Sequence, residues 1–316
     1  MIAFLIIYGS IAVMTAPHLT LLTSADWHDY ELLDSGDLKK LERFGDFRFI
    51  RPEPQAMWQP RLDPDEWLAD GVFQPEKNDD PGGWHLSKNV PDSWQMRYQE
   101  LRFLARPTPF RHLGFFPEQA VHWNWCAEKI HQFQQRYNRR PRILNLFAYS
   151  GLASLHAAAA GAEVTHVDAS KKAIAQAFEN RDACGLQDTS IRFITDDANG
   201  FVAREIRRQR TYDGIIMDPP KYGRGPKGET WRIEHDLPLL LEQANNLLSC
   251  DALFLVLTIY AIRASSVAAH FALADALKNR HGSIEAGELA IEESFMPGQD
   301  TRRYVSQANF ARWTAY

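Results

Sequence analysis

The sequence predicts an α/β fold: a mostly parallel sheet of seven strands with an antiparallel edge, helices on both faces, and a small β-rich N-terminal domain. Three observations predict it. From Leu113 onward, strand-length apolar runs alternate with helix-length amphipathic ones across short links, the pattern of crossover-connected parallel strands. Runs such as FLVL (Phe254 to Leu257) and GIIM (Gly214 to Met217) are apolar without alternation, as strands buried on both faces are. Upstream, short apolar pieces such as FRFI and MRYQELRFLA lie between Pro, Trp, Gly and Asp, with a turn signal at Pro81 to Gly83. That texture suits β-structure with long loops.

Three segments follow: an apolar extension 1–13, a small β-rich domain 14–112, and the α/β domain 113–316. In the last, 121–137 has helical periodicity. RILNLFA (142–148) is a strand, and 151–162 a helix closed by Gly161. EVTHVDA (163–169) is the second strand; the helix 170–185 is capped by Ser170 and ended by Gly185. Strand 191–197, helix 199–210 and strand 212–220 come next, then helix 235–249, strand 252–258 and helix 265–280. The last strands, 283–293 and 304–313, have no full helix between them and are expected to form the antiparallel edge.

The 316 residues suffice for one large and one small domain, and 45% hydrophobic with 24% charged residues is ordinary globular composition. The net charge of -5 gives no global basic signature, so nucleic-acid binding would have to use local patches. Cys126, Cys184 and Cys250 form no CxxC or Cys/His spacing, which suits a reducing, cytoplasmic setting and implies no metal. Residues 1–13 are too short and too poor in basic residues for a spanning helix. They are read as an over-long start or a loose segment, with a signal peptide as the lesser alternative.

Chemistry concentrates at four strand ends. Tyr149-Ser150-Gly151 turns the first strand into a helix, and Gly151 lets backbone approach a ligand there. A dinucleotide site would want three glycines in G-x-G-x-x-G; one is present. Asp168 ends the second strand and can accept two ribose hydroxyls, so the turn suits a nucleoside without a pyrophosphate. Asp197, after the third strand, either accepts an adenine amino group, with Ala198 on the ring, or serves as a helix N-terminal acid; Asp196 is a solvated or capping acid. Asp218-Pro219-Pro220-Lys221 ends the fourth strand in a rigid turn that exposes carbonyls beside Asp218.

LNLFAYSG, VDAS, DDA and DPPK, each after a strand, resemble the Rossmann-like class I S-adenosylmethionine-dependent methyltransferases. More narrowly, residues 142–258 are similar to the bacterial large-subunit rRNA methyltransferase group with an Asp-Pro-Pro-Lys motif. The resemblance implies that Phe147, Ala148, Tyr149, Ser150 and Gly151 wrap the methionine end of S-adenosylmethionine. It implies Asp168 at the ribose, Ala169, Ser170, Asp197 and Ala198 at the adenine, and Asp218, Pro219, Pro220 and Lys221 at the transferable methyl. Phe116-Pro117-Glu118-Gln119-Ala120 resembles the family's Phe-x-Asp-Gln-Arg segment over the cofactor, with Gln119 kept and Ala120 in place of the arginine.

The departures narrow the chemistry. Cytosine carbon-5 methylases need a cysteine after the fifth strand; here the strand ends in Thr258, and Cys250, read as a small buried residue, precedes it. Direct in-line transfer without a cysteine nucleophile is therefore expected. Lys221 stands where amine methylases carry a stacking ring, leaving the acceptor atom open.

The expected substrate is RNA, with rRNA first. Its phosphates would meet the basic runs Arg136 to Arg142, Arg204 to Arg210 and Arg102 to His112, each of which can equally be a solvated face. The loop 221–232, with Trp231, is a candidate for stacking or a lid. Trp58, Trp67, Trp84 and Trp94 serve core packing or substrate positioning. The alternatives are a methyltransferase for protein or small molecules, a non-catalytic cofactor-binding module, and a nicotinamide oxidoreductase. No membrane partner is expected, and the oligomeric state is open.

Overall fold

Alternate side chains of the central strands enter two different cores. Ile143, Ile216, Phe254 and Val256 meet one cluster, while Leu144, Ile215, Met217, Leu255 and Leu257 meet another. Strands buried on both faces explain the unbroken apolar runs. The computed structural model describes residues 17–24, 26–75, 82–260, 264–294 and 301–316. The extension 1–13 and the turn residue Pro81 lie outside the described residues.

The chain opens with β1 (Leu19–Thr23), then builds the small unit from β2 (Tyr30–Gly36), β3 (Lys39–Phe44), β4 (Phe47–Pro52), β5 (Gly71–Gln74) and β6 (Gly83–Leu86), with a hairpin of β7 (Trp94–Tyr98) and β8 (Leu101–Ala105). Helix α1 (Ala120–Tyr137) leads into β9 (Arg142–Leu146), α2 (Leu152–Ala159), β10 (Glu163–Asp168), α3 (Lys171–Ala183), β11 (Ile191–Thr195), α4 (Ala198–Arg207) and β12 (Gly214–Met217). A short hairpin follows, β13 (Tyr222–Arg224) and β14 (Thr230–Arg232). Then come α5 (Ile233–Leu247), β15 (Phe254–Ile259), α6 (Ser266–Ala276), β16 (Ser283–Glu292) and β17 (Tyr304–Thr314).

The large sheet runs β1-β16-β17-β15-β12-β9-β10-β11. All pairings are parallel except those of β17, which is antiparallel to β15 and β16. The expected terminal hairpin forms, but it is not the edge. Leu19–Thr23, counted from sequence with the small domain, pairs parallel with β16 and adds an eighth strand to the expected seven. The approach is tight: a Cβ at Gly287 would overlap the Thr20 carbonyl.

Helices α1 and α2 pack on one face, and α4, α5 and α6 on the other. Strand order reverses between β9 and β12, whose last residues Leu146 and Met217 are in register. That is the crevice where such sheets bind ligands. The small unit is not packed separately. One cluster joins Phe44, Phe49 and Phe103 to Trp123 and Leu155 of the helical layer, and Ser294 donates its N–H to the Leu32 carbonyl (2.8 Å).

Several expectations change. The segment 221–232 is largely a hairpin rather than a free loop. Cys250 is exposed, not buried, because it lies in the turn between α5 and β15. The run 136–142 precedes β9 at the amino ends of the strands, away from the crevice; the run 204–210 ends α4 before β12, and its Arg204 reaches back to Asp196 on the cavity wall. Much of their charge is already paired: Arg139 and Arg142 with Asp213, Arg204 with Asp196, and Arg208 with Glu205. No helix among the described residues is long and apolar enough to cross a membrane.

Candidate active site

The carboxyl ends of β9, β10, β11 and β12 open on a cavity of about 970 Å³. Phe147, Tyr149, Asp168, Ala169, Ser170, Asp197, Ala198, Asp218, Pro219, Pro220 and Lys221 line it. A smaller recess of about 50 Å³ shares Phe147, Tyr149 and Asp218 and adds Gln119, Ala148 and Ser150. The sequence-predicted residues thus meet in two adjoining spaces, with Gly151 as the exception.

The turn after β9 is strained. Phe147 (φ 55) and Tyr149 (φ 46) are left-handed without being glycine, and Gly151 follows at φ 91. Such conformations persist only where surroundings enforce them. Here Ala148 N–H donates to the Val167 carbonyl (3.1 Å), and Tyr149 N–H to Oδ2 of Asp168 (2.8 Å). Gly151 lines neither space. A Cβ there would lie 2.9 Å from Cβ of Ala177 on α3, so this glycine lets helix approach turn rather than ligand approach backbone. Beneath the turn, Asn145 donates to Ser154 Oγ (2.9 Å), which lies 3.0 Å from Nδ1 of His166.

Asp168 also accepts from Ser170 N–H through Oδ1 (2.8 Å). Burial raises its pKa, against the pull of these two N–H donors. Ser170 is the predicted cap of α3. Asp197 caps α4 through Oδ2, which accepts from Gly200 N–H (2.9 Å), and still lines the cavity, so both of its sequence roles are compatible. Asp196 is not a solvated acid. It accepts from Asp197 N–H (3.0 Å) and pairs with Arg204.

At the end of β12, burial first and then the Glu118 carboxylate push the Asp218 carboxyl up to about 8, opposed by a hydrogen bond from Gln119. Gln119 Nε2 donates to Oδ2 of Asp218 and to the Tyr260 hydroxyl, both at 3.1 Å, and Tyr260 donates to Glu118 Oε1 (2.8 Å). Sequence reasoning missed Tyr260, since nothing local to IYA tells of Gln119. Glu118, which stands where the resembling segment has Asp, is 3% exposed, and burial raises its pKa.

Trp231 is no mobile lid but part of the cavity wall. It is buried, packs on Phe147 (4.8 Å between rings) and donates Nε1–H to the Pro220 carbonyl (2.7 Å). That carbonyl, expected to face the pocket, is therefore occupied. Trp231 props the Pro-Pro turn and shares the cavity wall with it, and Lys221 stays exposed there. Opposite ends of the chain close the rim: Arg111, His112 and Phe116 line the cavity with Tyr260. Burial, then the Arg51 and Arg111 cations, lower His112 to about 4, so it is neutral at neutral pH. Of the three basic runs, 102–112 lines the cavity through Arg111 and His112, while 204–210 meets it through the pairing of Arg204 with Asp196. Trp58, Trp67, Trp84 and Trp94 spend their indole N–H groups within the small unit, on Ser35, Asp34, Thr108 and Phe44 respectively.

Comparison with known proteins agrees with this geometry. The family model described as conserved hypothetical protein 95 matches residues 122–253. The ribosomal RNA large subunit methyltransferase K/L of Shewanella baltica is 39% identical over 110 residues, 34% of this chain but 15% of that protein's length. A solved protein assigned as a methyltransferase and complexed with SAH shares the fold (TM-score 0.65, 16% identity, 92% of this chain and 76% of its own). The SAM-dependent methyltransferase from Agrobacterium tumefaciens superposes with a TM-score of 0.89 at 44% identity over 95% of each chain. On that relationship, the chain belongs to the S-adenosylmethionine-dependent methyltransferases.

Proposed function

We propose that this methyltransferase modifies a base of large-subunit rRNA, with no cysteine nucleophile. The observation that carries the reading is the convergence of Asp168, Asp197 and Asp218, from successive strand ends, on one cavity. The curated relative's rRNA substrate supports the choice of acceptor, as does the opening beside Arg111, Lys221 and Arg224.

The residues present fit the cofactor. Each Asp168 oxygen accepts one backbone N–H and keeps a lone pair for a ribose hydroxyl. Asp197 uses Oδ2 in its cap, leaving Oδ1 for an adenine amino group. Ala169, Ser170 and Ala198 would flank the ring. Phe147, Ala148, Tyr149 and Ser150, with Gln119, would enclose the amino-acid end. When bound, S-adenosylmethionine supplies an electrophilic methyl on a positively charged sulfur. Asp218 would accept a hydrogen bond from the acceptor's N–H and orient it, the Pro219-Pro220 turn would hold the acceptor plane, and Lys221 would meet developing negative charge or a phosphate. Cys250 lies before β15, at its far end from the cavity, and takes no part. An rRNA acceptor would set the work in the cytoplasm.

The test is transfer of labelled methyl from S-adenosylmethionine into total RNA and total protein from cells lacking the gene. Label in large-subunit rRNA that disappears with Asp218→Ala is expected. Label confined to protein would move the acceptor to that class. SAH binding without turnover on any acceptor would make the chain a cofactor-binding module.

A further inference from the structure

A second cavity, of about 620 Å³, opens on the small sheet, and Phe73 lines both it and the larger one. Its walls are mostly apolar, with Trp67, Val72, Ile50, Pro52 and Pro60 beside Phe73. Arg51 lines it too and donates Nη1–H to the carbonyl of Arg111 (3.0 Å), a wall residue of the larger cavity. The two spaces therefore share a wall and a hydrogen-bonded rim.

The turn between β2 and β3 forms another side. Asp37 (φ 49) and Leu38 (φ 62) are both left-handed there, and neither is glycine. Their N–H groups are held by the carbonyls of Trp58 (2.8 Å) and Ala56 (2.9 Å). The turn keeps Leu38 at the cavity, 54% exposed, with Lys39 exposed next to it. Gly36 and Lys39 pair directly across these two residues, and a two-residue hairpin turn needs positive φ at both; the turn sets an apolar side chain and a cation side by side at the cavity mouth.

We infer that this second cavity takes an unpaired base flanking the target nucleotide, stacked on its apolar walls, with a phosphate met by Lys39. The inference rests on the RNA reading above. A base drawn out of its stack leaves its neighbour without a stacking partner. Single-stranded bases find that partner on aromatic and apolar faces, with cations along the backbone. A strand leaving the larger cavity past Phe73 meets such faces at once.

Leu38→Asp and Lys39→Glu test it, because neither residue lines the larger cavity. The probe is large-subunit rRNA from cells lacking the gene. The readouts are KM for that RNA, affinity for SAH, and melting temperature. Each variant is expected to raise KM about tenfold while SAH affinity and melting temperature hold. Lys39→Glu should also lower the slope of log affinity against log salt by about 1. Arg140→Glu, at the amino end of β9, should leave KM unchanged. Should Leu38→Asp unfold the protein, exposed Lys39 still decides through the salt slope. Wild-type KM and salt slope in Lys39→Glu, with RNA methylated normally, would overturn the proposal. An unmodified enzyme that labels no RNA would overturn the rRNA reading itself, a result distinct from that one.

Discussion

The Gln119 amide nitrogen lies 3.1 Å from Oδ2 of Asp218 and 3.1 Å from the Tyr260 hydroxyl. The entry to α1 is thus tied to the ends of two strands 99 and 141 positions later. Asp218, pushed up to about 8 by burial and by Glu118, is held near neutral pH at the brink of ionisation.

Two pH effects are expected. An unfolded Asp titrates near 4, so folding takes up a proton between about 4 and 8. The associated stability is complete below pH 4 and is lost as pH rises through about 8. Asp218→Asn should therefore lose less melting temperature than wild type between pH 6 and pH 9. If ionised Asp218 orients the acceptor, single-turnover rate should rise through about pH 8, and Glu118→Gln should move that rise to lower pH. Asp218→Asn should cost about 100-fold or more in rate. A rate flat from pH 6 to 9 would remove Asp218 ionisation from the step.

Gly151→Ala should destabilise the fold by about 2–4 kcal/mol, from the left-handed backbone and the contact with Ala177. Ala177→Gly should recover the contact and not the backbone strain. Denaturant unfolding of both singles and the double should give a coupling of about 1 kcal/mol. Additive losses would mean that the helix shifts away freely.

Trp231→Phe keeps the ring against Phe147 and removes the hydrogen bond to Pro220, which should cost about 1 kcal/mol. Its kcat should fall more than its affinity for SAH if the Pro-Pro turn holds the acceptor as proposed. Calorimetric SAH titration beside rate measurements separates the two, and an equal loss in both would contradict the assignment.

Cys250 should react rapidly with a maleimide and Cys126 should not, because Cys250 is exposed while burial pushes the Cys126 thiol up to about 12. Methyl transfer should survive the labelling, as should the Cys250→Ser variant. Loss of turnover in that variant would reopen covalent chemistry.

What could be read from sequence follows the range of the interaction. Strand ends stand out because apolar runs stop at Asp168, Asp197 and Asp218, and local chemistry marks Ser170 as a cap. Residues whose role depends on a distant partner do not stand out. Trp231 sits among Gly and Lys and looks free, yet Phe147 and Pro220 bury it. Tyr260 gains its place from Gln119 and Glu118. The basic runs look alike in one dimension; only the sheet direction separates the run 136–142 at the amino ends from Arg111 at the rim. LTLLT (Leu19 to Thr23) carries no sign that its partner is β16, more than 260 positions away.

That strand has a practical consequence. A fragment beginning at Leu113 would resemble a clean catalytic half, but it would strip β1 from the sheet. The groove at Gly287, shaped to take the Thr20 backbone, would then be an uncovered row of β16 donors and acceptors, open to other chains. Such a truncation invites self-association through that edge, and retaining residues 17–24 by circular permutation would be the way to avoid it.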